Sequence, residues 1–336
     1  MLQGFFLFCI KGLTHMTALR ALTVLTASAF ALMSAQAAHG QIADRDAALA
    51  PPGEALRDGQ TLIGTPLSEP GFSPELRAEL ELDLAIARAT MELAPHREDS
   101  YIWLGRRLGY LGRFEDAVEV FTQGLERFPD SYKLLRFRGR HLARSRQFEA
   151  AIADYTRALT LMEGVQDSFE PDGIANLYNL PLGTYRSNLH YYLAQTSFAV
   201  GDFETLVSGM EAARAEPLLM DPTGDMGVAM AYWLYIGHSL LGDAEAAHAA
   251  LAGVNADLPL IENRNYLRGA LFFKGEISRE EMEAYPGAIE QFALAMADRI
   301  AGDNAAAETR MEAIVRAGAS GFWPAETEIL RIRAER

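Results

Sequence analysis

Residues 98 to 131 and residues 132 to 165 align without a gap, 34 positions against 34. The first reads EDSYIWLGRRLGYLGRFEDAVEVFTQGLERFPDS and the second YKLLRFRGRHLARSRQFEAAIADYTRALTLMEGV. Gly105 and Gly139 share the eighth place, Phe114 and Phe148 the seventeenth, Ala117 and Ala151 the twentieth. Phe121 and Tyr155 share the twenty-fourth, Leu125 matches Leu159, and Pro129 ends the first copy. A period of this length demands units that stack, since one unit alone cannot bury its apolar face. The apolar residues are mostly Ala and Leu, which favours helices.

Weaker copies begin near Ser187 (Gly201, Phe203, Ala213), Val228 (Gly242, Ala247) and Ala288 (Gly302-Asp303, Ala307). SPELRAELELDLAIARATMELAP, before the first copy, reads as a terminal half-unit. Pro324 opens a capping helix after Gly321. Starts at 98, 132, 187, 228 and 288 leave extra segments after the second and fourth units. The former is QDSFEPDGIANLYNLPLGTYR; the latter includes LIENRNYLRGALFFKG, which reads as an additional helix.

This pattern resembles the tetratricopeptide repeat, a pair of antiparallel helices stacked into a superhelix. The order of units, with EPDG between them and WLY and IEN further on, is also similar to exported bacterial tetratricopeptide proteins of no assigned activity. The resemblance implies an all-α, right-handed superhelical solenoid of about five helix pairs plus capping helices. Gly105 and Gly139 would let paired helices approach closely, with Phe121 and Tyr155 filling the space between units. The expected domains are a signal peptide over 1–37, a flexible arm over 38–72, the repeat domain over 73–321 and a capping helix over 322–336.

"KLLRFRGRHLARSR", Lys133 to Arg146, holds six cations and no carboxylate in a chain of formal charge -15. At 100° per residue, Lys133, Arg136, Arg140 and Arg144 fall within an 80° arc, opposite Leu135, Gly139 and Leu142. In the resembled family those four places line the concave groove. The same mapping implies groove positions for Arg106 and Tyr110, for Asn188, Tyr191 and Gln195, and for Tyr232 with Trp233 beside it. Arginine forks and amides suit carboxylates and peptide backbone, and tyrosines supply rigid area. The carboxylate clamp of some relatives is absent, because Ile102, Arg106, Phe137, Asn188 and Tyr192 hold its places. A second reading stays open: Asp167, Glu170 and Asp172 of the loop over 166–186 fold across the stripe and neutralise it internally.

From Met16, Arg20 precedes a thirteen-residue apolar run and then Ala35-Gln36-Ala37, the form of an export signal, with Met16 as the expected true start. Cleavage there removes Lys11, Arg20 and no acid, so the charge moves from -15 to -17, and Cys9, the single cysteine, is lost. A thiol-free chain suits an oxidising compartment, and the expectation is periplasmic. The run is too short for a membrane span, and no later segment is apolar enough for one. Overall acidity argues against nucleic acid as a partner.

No catalytic signature is present. Beyond the expected signal the histidines are His39, His96, His141, His190, His238 and His248; none forms HExxH, and GxSxG and GxxxxGK[ST] are absent. No cofactor or metal is expected. The sequence reads as a non-catalytic exported scaffold that binds a protein or peptide, of acidic character, in its groove. The alternative is a binding subunit for anionic envelope glycan.

Overall fold

A computed structural model describes residues 55–176, 178–216 and 224–336. The expected signal segment 1–37, and residues 38–54 of the expected arm, lie outside the described residues. Among the described residues there are fourteen helices and one two-stranded sheet. Five antiparallel pairs follow one another: α2 (Glu98–Tyr110) with α3 (Phe114–Arg127), α4 (Tyr132–Arg144) with α5 (Phe148–Leu161), α6 (Tyr185–Val200) with α7 (Phe203–Arg214), α8 (Asp225–Leu240) with α9 (Ala244–Ala250), and α12 (Ala288–Ile300) with α13 (Asn304–Ala317). α1 (Pro74–Leu93) precedes them and α14 (Trp323–Ala334) ends the chain. The extra segment before the fifth pair forms α10 (Arg264–Lys274) and the short α11 (Arg279–Glu283). The chain is thus an all-α solenoid of five pairs with additional helices.

Local sequence explains each corner. Gly112, Gly201, Gly242 and Gly302 turn the pairs with φ between 78° and 86°, backbone that favours glycine. At three of these corners Asp follows, and its carboxylate caps the next helix: Asp202 accepts from Thr205 N–H, Asp243 from Ala246 N–H, Asp303 from Ala306 N–H. Ser73 and Ser131 cap α1 and α4, and Thr184 opens α6 through a capping box.

Close approach within a pair rests on glycine. A Cβ at Gly105 would sit 2.4 Å from the Phe121 ring, and one at Gly139 would sit 2.6 Å from the Tyr155 ring. Phe121 and Tyr155 are fully buried; Phe121 then stacks on Phe137 of the next unit and Tyr155 on Tyr192. Two clusters of buried side chains form the core. α6 belongs to both: Tyr185 and Leu189 face the N-terminal cluster, Tyr191, Ala194 and Phe198 the C-terminal one.

The ends meet. β1 (Ala55–Gln60) and β2 (Pro66–Ser68) pair antiparallel within the stretch expected as a flexible arm. This hairpin touches the C-terminal region: Ser68 N–H donates to Ala319 O at 2.7 Å and Leu62 N–H to the Glu326 carboxylate at 2.9 Å. α14 packs on the middle of the chain, with Trp323 against Phe148 and Arg331 donating to Ala199 O. The solenoid therefore closes around its own inner face.

A candidate ligand cavity on the inner face

The segment between α5 and α6 forms a strap. Its neck is zipped by an isolated bridge between Phe169 and Thr184, by Glu170 N–H to Gly183 O at 2.9 Å and by Tyr185 N–H to Ser168 O at 3.0 Å. Asn176 organises the tip, accepting from Tyr178 and Leu180 N–H and donating to Leu180 O.

The strap lies on the arginines. Arg136 is 1% exposed and holds Glu170 through two parallel bonds of 2.8 Å, from Nε and Nη2. Arg106 donates to Pro171 O at 2.9 Å and Arg107 to Gly173 O at 2.7 Å. Gly173 fits closely, since a Cβ there would lie 1.4 Å from Tyr110 Oη. Within the stripe, Arg136 meets the loop carboxylate Glu170; outside the stripe, Arg106 of the first unit meets the backbone of the same loop. Arg136 is thus part of the folded core of this region.

Beyond the strap an inner cavity of about 710 Å³ remains. Arg106, Tyr110, Arg136, Arg140, Arg144, Asn188, Tyr191 and Gln195 all border it, so eight of the ten expected groove residues converge. Arg140 lies over the Tyr192 ring at 5.4 Å and Arg144 over the Phe114 ring at 5.4 Å. Tyr191 Oη lies 3.3 Å from Tyr266 Oη.

Two expected residues are elsewhere. Lys133 stands at the start of α4, 4.0 Å from Glu98 and beside the rings of Tyr132 and Tyr185, and does not line the cavity. Tyr232 is fully buried and donates to Ile289 O at 3.1 Å. The inserted α10 explains this: Gly269 packs onto the Tyr232 ring and covers the face of α8 that an uninterrupted array would leave open. Trp233 is likewise core.

The electrostatics follow from burial. His141 Nδ1 lies 2.8 Å from Phe137 O. Burial, with Arg140, Arg144 and Arg136 nearby, pulls its pKa down to about 3, so the imidazole is neutral at pH 7. Burial raises the pKa of Asp172 from its ordinary value; Arg106 opposes the shift and Glu170 adds to it. Five arginines and three carboxylates border the cavity, an excess of positive charge inside a chain of -15.

The sequence missed the C-terminal wall. Gly318 to Pro324 line the cavity, as do Glu262 and Asn263. The loop before α10 is shaped by Asp225, whose carboxylate accepts from Glu262 N–H at 2.7 Å and Asn263 N–H at 2.8 Å. An Asp at a helix start gives no sign of a partner nearly forty residues on.

The fold is that of a helical-repeat protein with an inner cavity. Residues 104–168 match the model of the tetratricopeptide repeat family, so the units around the strap's anchoring arginines are tetratricopeptide repeats. Solved structures similar to this chain include one from the APC/C hetero-tetramer Cut9–Hcn1, 13% identical over 76% of this chain, with TM-score 0.46. This chain spans 45% of that one's length. BtubC (BKLC) from P. vanneervenii is 15% identical over 79% of this chain and 92% of its own, with TM-score 0.42. A chain of Naa15/Naa10 bound to HypK-THB is 15% identical over 77% of this chain and 37% of its own, with TM-score 0.34. No curated protein matches the sequence. Among the described residues no helix is long and apolar enough to cross a membrane, and no group of three or more His, Cys, Asp or Glu is placed to hold a metal ion.

Proposed function

We propose that this protein is a non-catalytic scaffold, exported to the periplasm, that captures an acidic protein or peptide partner by inserting part of it into the inner cavity. The observation that supports this reading most is the convergence of Arg140, Arg144, Asn188 and Gln195 on a single cavity inside a repeat array. Export is supported by the Arg20, apolar-run and Ala35-Gln36-Ala37 pattern. Arg140 and Arg144 border the cavity beyond the strap; Arg136 and Arg106 hold the strap itself.

The test is capture from a periplasmic extract by the full chain, with Arg140→Gln/Arg144→Gln as comparison and mass spectrometry as readout. A partner retained by the parent and lost by the variant, at unchanged melting temperature, is the expected result. Equal capture by both proteins, or no partner above background, contradicts the reading.

A further inference from the structure

The first helix of the stack is apolar on two sides. α1 packs on α2 with Leu76, Leu80, Leu84 and Ala87, all buried in the N-terminal core. At 100° per residue, Ala78, Leu82, Ala85, Ile86, Ala89 and Leu93 form a second ridge, within a 100° arc on the opposite side. All six are exposed: Leu82 is 62%, Ile86 56% and Leu93 84% accessible. A stack of repeats ordinarily ends on an element whose outer face is polar, which keeps the array soluble. At the C-terminal end α14 folds back on the middle of the chain, with Trp323 against Phe148. The N-terminal end presents aliphatic side chains instead, and an apolar patch of this kind marks an interaction surface.

The ridge is self-complementary. When two copies of α1 lie antiparallel about a two-fold axis between positions 85 and 86, residues equally far on either side of that axis come level. Ala78 of one copy is then level with Leu93 of the other, Leu82 with Ala89, and Ala85 with Ile86. Every level holds one long and one small side chain. Volume therefore stays even along the seam, and the helix axes can approach to about 8 Å. A two-fold interface uses the same patch on both partners, which this pattern supplies without any other surface. We infer that the protein self-associates through α1, as an antiparallel pair of helices from two copies of the chain. One helix face is a small interface, below roughly 1,200 Å² in total, so a dissociation constant on the order of 10–100 µM is expected. No ridge residue lines the inner cavity, so the pairing stands apart from the function proposed above.

Sedimentation equilibrium of the full chain between about 5 and about 500 µM tests this. A monomer–dimer equilibrium is expected, weakened at least tenfold by Leu82→Glu/Ile86→Glu at unchanged melting temperature. Should that variant fail to fold, disulfide crosslinking on a Cys9→Ser background decides. Ile86→Cys, next to the axis, should link to its own copy. Ala78→Cys and Leu93→Cys should link when mixed, and Ala78→Cys alone should not. A monomer throughout the range overturns the inference and leaves the ridge to another occupant, a foreign partner or the chain's own N-terminal segment. A dimer that Leu82→Glu/Ile86→Glu leaves intact also overturns it, as does equal linking of Ala78→Cys alone, the mark of a parallel pair.

Discussion

Arg146 occupies the left-handed corner that four other helix pairs give to glycine, and its guanidinium closes on the Glu326 carboxylate 180 positions away. Its φ is 61°, whereas Gly112, the same place one unit earlier, has 82°. A non-glycine residue held there costs about 1 kcal/mol or more. The ion pair offsets it: Glu326 is fully buried, takes bonds of 3.1 and 2.6 Å from Arg146, and also accepts Leu62 N–H. One carboxylate thereby joins the hairpin, the second repeat and the C-terminal helix.

Arg146→Gly relaxes the corner but strands Glu326. Removing one member of a buried pair costs about 3–5 kcal/mol, so a net loss of about 2–4 kcal/mol is expected in urea unfolding. Adding Glu326→Gln should recover part of it. A neutral or stabilising Arg146→Gly would mean that the ends are not joined through this pair.

Gly105→Ala should destabilise more than Gly242→Ala. The first places a methyl 2.4 Å from the Phe121 ring in a packed core, an overpacking worth about 1–3 kcal/mol or more. The second meets nothing within 4 Å and bears only backbone strain at φ 78°, about 1 kcal/mol. Thermal melts of the two variants check the order.

Acid should weaken the fold through His141. Its folded pKa of about 3 lies below the ordinary 6.5, so between those values the unfolded chain binds the extra proton. The contribution is complete above pH 6.5 and is lost as pH falls toward 3, with a slope of up to about 1.4 kcal/mol per unit. His141→Gln should flatten the stability profile between pH 6 and about 4, read by urea midpoints. An unchanged slope would show that the imidazole is not buried neutral.

The repeat scaffold was legible because its determinants are local. Gly105, Ala117 and Phe121 recur as Gly139, Ala151 and Tyr155, and each pair meets within one unit or with the next. The extra segment around LIENRNYLRGALFFKG was legible as a helix and forms α10. Its consequence was not: covering α8 turned Tyr232 from an expected groove residue into core. Closure was hidden for a related reason. Leu62 and Glu326 are 264 positions apart and meet through one backbone bond, which leaves no periodic trace. For the arginine row, helix geometry placed its members on one face, and the strap's path decided that Arg136 meets Glu170.

The central claim is that the cationic face of α4 points inward and holds the chain's own strap through Glu170. A double-mutant cycle on Arg136→Met and Glu170→Gln, read as unfolding free energies, measures it most directly. The account predicts strongly destabilised single variants, a double variant less destabilised than their sum, and a coupling of about 2–3 kcal/mol. A coupling below about 0.5 kcal/mol would show the two side chains apart and contradict the account.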